Sequence, residues 1–320
     1  MKKRVLALTM AAAMMLTMVG CGSSKKEGYN VGICQFVQHD ALDAATKGFM
    51  EAMKEDLGDK VTFDEQNASG EPANCATIAN QMVANDVDLI LGNATPALQA
   101  AAAATDSIPI IGTSVTDYAT ALEIAEWTGV TNKNISGTSD LAPLDQQAAM
   151  INELFPEAKD IGILYCSAEP NSLYQANSIR EYLVNEYGYN VTDFTFADSN
   201  DIASVCTAAV SEVDVLYIPT DNAAAANTSV IDNVCLEAGV PVVAGEAGIC
   251  QGCGVATLSI SYYDIGWAAG KMAVDILVNG KDVSKMEIQT AENVTKQYIA
   301  SRCEKLGVVI PEGYEALDEA

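Results

Sequence analysis

The chain has a single histidine, His39, among 320 residues. That shortage leaves little room for imidazole-based acid–base pairs or for the usual ligand sets of zinc. A Gly-x-Ser-x-Gly elbow and a phosphate-cradling Gly-Lys-Ser/Thr loop are also missing, so no catalytic constellation is in view and no metal or cofactor is expected. Basic residues are scarce, 17 Lys and Arg against 43 Asp and Glu, for a net charge of −26. Such a surface repels nucleic acid and anionic lipid, which both require basic patches. After the first 20 residues every apolar run is short or interrupted by charge, so no later segment is a candidate to cross a membrane.

What the N-terminus does contain is an export signal. Lys2, Lys3 and Arg4 precede an uncharged stretch from Val5 to Val19. This stretch is the length of a secretory apolar region and too short to cross a hydrocarbon core of about 30 Å comfortably. Met18-Val19-Gly20-Cys21 resembles a bacterial lipobox, with Met18 where Leu is usual. Residues 1–20 are therefore expected to be a signal peptide and Cys21 the lipidated first residue of the mature chain. Residues 21–28 would then be the tether, and the rest of the chain would work outside the membrane of a bacterium. An ordinary signal peptide with Cys21 incidental is the alternative.

Beyond Cys21 there are eight cysteines, an even number that invites a disulfide reading in an exported protein. They are nevertheless scattered singly through apolar segments, as small buried hydrophobes would be. Only Cys250-Gln251-Gly252-Cys253 is closely spaced, in what reads as a Gly-rich loop. Structural thiols are the leading reading, with a disulfide and then a metal or redox role behind it.

From Asn30 onward short apolar strands alternate with amphipathic helices. Strands are expected at Val31–Phe36, Val61–Glu65, Val87–Leu91 and Pro109–Ile111, and after Trp127–Thr131 the pattern starts again with Asp160–Tyr165, Val191–Phe196, Val213–Ile218 and Val240–Ala244. Helices fall between them, including Ala41–Leu57, Ala224–Ala238 and a closing Tyr263–Leu277. The fold class is α/β, with two doubly wound parallel-sheet lobes. Ligands of such sheets bind beyond the carboxyl ends of the strands, so the polar loops there are the candidate site.

Several of those loops carry suitable groups. His39 is a polar loop residue able to reach a ligand. Asn93-Ala94-Thr95-Pro96 places a hydroxyl at a helix start, where a carboxylate is favoured, although Thr95 could serve simply as a cap. Ser114, Thr116 and Asp117 follow a strand of the first half. Glu169-Pro170-Asn171-Ser172 and Pro219-Thr220-Asp221-Asn222 follow strands of the second half, and their acids suit an ammonium group, with capping as the plainer role for Ser172, Asp221 or Asn222. Glu246 lies in a further Gly-containing loop.

In their order these loops resemble the ABC-transporter substrate-binding lipoproteins of tryptophan and tyrosine uptake. The resemblance covers the whole mature chain. It runs through Val31-Gly32-Ile33-Cys34-Gln35 with His39–Asp43 and Gly48-Phe49, then Asn134–Asp140 with Pro143, and the two second-half loops above. Ser261-Tyr262-Tyr263-Asp264-Ile265-Gly266 completes it. Asp40 departs from the family, which usually has proline there. The resemblance implies a type I periplasmic-binding-protein fold, a three-strand hinge and an aromatic amino acid closed between the lobes. It implies crossings near Ser139, Gly248 and Lys281, giving one lobe of 29–139 plus 248–280 and another of 140–247 plus 281–320.

In that frame Thr95, Ser114 and Thr116 would hold the ligand carboxylate, and Asp140, Glu169 or Asp221 its ammonium. Gln35 and Phe36 would line the opposite wall, with Phe36 stacking on the ligand, although six Phe in all are few for an aromatic pocket. The implied partners are ABC permease subunits and the membrane, through the lipid anchor of a monomer. A sensory receptor of the same fold, a secreted enzyme, or a receptor for another amino acid, a nucleoside or a sugar are the competing readings.

Overall fold

The computed structural model describes residues 28–291 and 293–318. The expected signal peptide, the expected lipidation of Cys21 and the expected tether before Gly28 lie outside these residues. The first sheet contains β1 (Tyr29–Gln35), β2 (Val61–Asn67), β3 (Leu89–Asn93), β4 (Ile110–Val115) and β5 (Ile135–Ser139). The second begins with β6 (Asp160–Cys166), β7 (Asn190–Phe196), β8 (Val215–Ile218), β9 (Val242–Ala244) and β10 (Ala256–Ser259). Three short strands follow: β11 (Gln289–Thr290), β12 (Thr295–Tyr298) and β13 (Glu315–Ala316).

The six-stranded sheet has the order β11-β5-β4-β3-β1-β2 and is parallel throughout. The seven-stranded sheet has the order β13-β12-β10-β9-β8-β6-β7, with β12 antiparallel to β10. Helices cover both faces, which is why β3 and β8 are buried along their whole lengths and read as continuous apolar runs. The two lobes of a type I periplasmic-binding-protein fold are present.

Sheet membership moves two of the expected crossings. The chain leaves the first lobe after Ser139, at the end of β5. It does not return near Gly248, because residues 247–253 form a helix and β10 then pairs with β9 in the second sheet. The return comes after Ser259, and the helix Tyr262–Asn279 packs on the first lobe. Nor is the third crossing at Lys281, since β11 still pairs with β5 and the chain reaches the second sheet only at β12. Gly248, Gly252 and Gly254 made the first region look like a loop, and β11 is too short to leave an alternating pattern.

Close backbone approach holds the returning helix in place. Ala45, Phe49 and Ala52 face it from helix Asp40–Leu57, at the three-to-four-residue spacing that aligns side chains on one side of a helix. A Cβ at Gly266 would lie 2.0 Å from the Ala45 carbonyl oxygen, and one at Gly48 would lie 2.2 Å from that of Tyr263. The expected helix Ala224–Ala238 is two helices, Asn222–Ala225 and Thr228–Ala238. They are separated at Asn227, whose backbone leaves helical geometry (φ −132°, ψ 26°).

Candidate functional site

The loops beyond β1, β4, β5, β6, β8 and β9 converge between the lobes, with helix Tyr262–Asn279 at the hinge. They leave a narrow cleft in which only about 10 Å³ has room for the centre of a water-sized molecule. The walls therefore meet closely, and anything larger than water enters only when the lobes part.

Seven of the expected site residues line this cavity: His39, Ser114, Asp140, Asn171, Asp221, Asn222 and Glu246. Leu42, Thr220, Ile249 and Tyr262 join them, and no lysine or arginine does. Asp140 sits just past the first crossing and accepts from Thr116 Oγ1 at 3.0 Å and from Tyr262 Oη at 2.9 Å. One carboxylate thus bonds to the chain beyond β4 and to the chain returning after β10. Gln175 Nε2, in the second lobe, donates to Thr116 Oγ1 at 3.2 Å and also bonds Thr220 Oγ1.

The second-lobe wall is built around Glu169. Its carboxylate accepts from Asn171 Nδ2 at 3.1 Å, Asn222 Nδ2 at 2.6 Å, and the amides of Asn222 and Ala223 at 3.1 and 2.9 Å. Those donations fix both asparagine amides. Asn222 Oδ1 then faces His39 Nε2 of the first lobe at 3.3 Å, so the ring nitrogen is the donor. Asn171 Nδ2 is also bonded to Ser172 Oγ and the Thr220 carbonyl, while its Oδ1 is buried without a partner.

On the first-lobe wall Ser114 Oγ is likewise buried and unpartnered, on a backbone at φ +54°. Ala94, after the neighbouring strand β3, stands at φ +88°. Left-handed conformations in residues with a Cβ cost of order 1–3 kcal/mol and collect where backbone must be aimed rather than relaxed.

Burial pushes all four nearby acids above the ordinary carboxylate range. Glu246 rises to about 7, with Asp140 and Asp40 adding to the effect of burial. Asp140 and Asp221 are raised for the same first reason, as is Glu169, where Asp221 contributes. Burial lowers His39, against the Asn222 hydrogen bond and the charges of Asp43 and Asp40. An acid-rich cleft with no lysine or arginine favours a ligand bearing positive charge. Among the described residues no group of three or more His, Cys, Asp or Glu could hold a metal ion.

Comparison with known proteins follows the same lines. The sequence matches the family described as ABC transporter substrate binding protein over residues 30–318. The chain belongs to that family. A "Tyrosine-binding protein" from Clostridioides difficile (strain R20291) is 33% identical over 309 residues, spanning 91% of this chain and 88% of the relative. Among solved structures, an ABC domain from Streptococcus pneumonia in complex with L-Trp superposes with a TM-score of 0.86 at 31% identity, over 91% of this chain and all of the other. The ligand-free, open structure of a substrate-binding protein with adhesive properties from Clostridium difficile gives a TM-score of 0.69 at 32% identity, again over 91% of this chain and all of the other. The arrangement of lobes in this substrate-binding protein is thus nearer to the L-Trp complex than to the open form.

Eight expected residues of the substrate-binding protein lie off the cavity. Gln35 turns beneath helix Asp40–Leu57, where it donates to Asp43 at 2.6 Å and accepts from Thr46 at 2.7 Å. Asn93 donates to Thr46 and the Leu42 carbonyl in the same buried group. Phe36 packs into the apolar core of the first lobe and offers no face to the cleft. Thr95 is the first residue of its helix and is buried behind the wall, with Ala94 rather than Thr95 at the cap. Asp117 caps helix Tyr118–Ala121 by accepting from Thr120 N. Thr116, Glu169 and Ser172 act one layer back, holding Asp140, the two asparagines and Asp221.

Leu42, Thr220, Ala225, Ile249 and Tyr262 are lining residues that sequence reasoning missed, and Tyr262 is the one that bonds Asp140. Tyr262 lies in the Ser261–Gly266 stretch that resembles the family, but a tyrosine opening a helix carries no sign that it faces a cleft. The closely spaced cysteine pair also sits differently from expectation. Cys250 and Cys253 lie in helix Ala247–Cys253, not in a loop, and all eight thiols of the described residues are buried and unbridged.

Proposed function

We propose that this substrate-binding protein is the lipid-anchored, extracytoplasmic receptor of an ABC importer and captures an aromatic amino acid between its lobes. The observation that carries the ligand class is the closed, acid-lined cavity with two unpartnered buried polar atoms, Ser114 Oγ and Asn171 Oδ1, on opposite walls. Asn171 Oδ1 can only accept, and so wants a donor such as an ammonium group. The acids Asp140, Asp221 and Glu246 stabilise that charge. Ser114 Oγ–H is free to donate to the ligand carboxylate, and Tyr262 and His39 supply the flat walls. The ligands named for the two relatives, tyrosine and L-Trp, support an aromatic side chain. Cys21 holds the monomer near the permease that receives the ligand.

The test is a melting-temperature screen of the purified protein against amino acids, nucleosides and sugars. A ligand at about 100 times its Kd adds roughly 2.7 kcal/mol to stability. A shift confined to tyrosine, tryptophan or phenylalanine is expected. A shift with another class of compound alone sinks the aromatic assignment and leaves the receptor role. Turnover of the ligand would remove the receptor reading.

A further inference from the structure

Eight scattered cysteines give no sequence cue to pairing, yet the fold brings two pairs together, Cys34 with Cys75 in the first lobe and Cys206 with Cys235 in the second. Cys206 lies on helix Ile202–Ala209 and Cys235 on helix Thr228–Ala238, 29 residues apart in sequence, and their Sγ atoms are 3.5 Å apart. Both are buried in the apolar core on one face of the second sheet, among Ile202, Leu216 and Ile231. Each sulfur is the other's hydrogen-bond partner. Among apolar neighbours a thiol has little to gain from polar contact, so the direct meeting of two sulfurs is the notable fact.

We propose that Cys206 and Cys235 are a covalent cross-linking site, joined by a disulfide in the exported chain. The sulfurs must close from 3.5 Å to the bonded length of about 2.05 Å, a shift within reach of a small side-chain rotation on either helix. The finished core shields both thiols, so the bond forms while the chain folds outside the cytoplasm and the thiols are still accessible. The oxidant is a protein thiol–disulfide oxidase or a small-molecule disulfide. The thiolate of one cysteine attacks the oxidant's disulfide and releases one of its sulfurs as a thiol. The second cysteine then attacks the mixed disulfide and releases the other sulfur as a thiol. Two protein thiols become one disulfide, and the oxidant takes up the two electrons and two protons.

The bond would close a loop that carries β8 and the cleft residues Thr220, Asp221 and Asn222. It therefore braces one wall of the site from behind, independently of which ligand the site takes.

The experiment uses the chain exported into an oxidising bacterial periplasm, denatured, alkylated with a maleimide without reductant, and digested. A cross-linked peptide pair containing Cys206 and Cys235 is expected, about 2 Da lighter than the sum of the two free peptides. Reductant should lower the melting temperature of the wild-type chain by several degrees and leave Cys206→Ala and Cys235→Ala variants unmoved. Full alkylation of both residues overturns the proposal. So does a cross-link that joins either of them to any other cysteine.

Discussion

His39 of the first lobe donates from Nε2 to Asn222 Oδ1 of the second at 3.3 Å, and the Asn222 amide is held in that orientation by Glu169. The contact spans the two walls of the cleft, so parting the lobes breaks it. A first-lobe side chain therefore reports on closure through a second-lobe carboxylate that never touches it. Asp40 and Gly248, each in the first turn of a helix, face each other beside it, a Cβ at Gly248 lying 3.6 Å from that of Asp40.

His39→Ala should weaken ligand affinity about fivefold, the worth of one net hydrogen bond of about 1 kcal/mol. Calorimetric titration of both proteins with the ligand found in the screen measures it. An unchanged Kd would mean that the contact does not contribute to closure.

Glu246, at about 7, holds its proton more tightly folded than unfolded, where its ordinary value is 4.5. Its contribution to stability is full below that ordinary value and is lost as pH rises through 7. Asp140, Glu169 and Asp221 are raised and act in the same sense, whereas His39 is lowered and costs stability as pH falls below its ordinary 6.5. Glu246→Gln isolates one group. Relative to wild type, the ligand-free variant should gain stability between pH 5 and pH 8, on the order of 2–3 kcal/mol. Chemical denaturation at both pH values checks this, and a constant difference would refute it.

Tyr262→Phe removes the phenol from Asp140 and leaves that buried carboxyl with Thr116 as its side-chain donor. A hydrogen bond to a charged group is worth about 1.5–3 kcal/mol, so ligand affinity should fall at least tenfold. Asp117→Ala provides the contrast. Loss of that cap should cost about 1 kcal/mol of stability and leave Kd untouched.

Gly266→Ala places a methyl group where the backbone of Ala45 already lies. Overpacking of this kind costs about 1–3 kcal/mol, and a fall of several degrees in melting temperature is expected. A stabilised variant would show that the two helices have slack between them.

The two parallel sheets were legible because their strands are buried on both faces and read as apolar runs, as in Leu89-Ile90-Leu91. The location of the site was legible too, since polar loops after such strands can only gather at one edge. Side-chain direction was not. Gln35 ends β1 and Phe36 and His39 follow it, yet the first two serve the interior while His39 reaches the cleft, and nothing in their order distinguishes them. Asp117 and Glu246 look alike as acidic caps, but only the second lines the cavity. Gly248 to Gly254 reads as a loop because small residues hide a short helix whose amides are capped by Glu246.

The path of the chain across the hinge also sets an order of assembly. Strands β6 to β10 are contiguous in sequence, so most of the second lobe can bury its core once the chain has been supplied through Ser259. The first lobe cannot do so. The face of helix Asp40–Leu57 that carries Gly48 stays uncovered until residues 262–279 arrive, more than 200 positions later. Closing so long a loop is slow and entropically costly. The N-terminal lobe, made first, is therefore the last to be finished, and its apolar helix face is the surface on which a chaperone would have most to do.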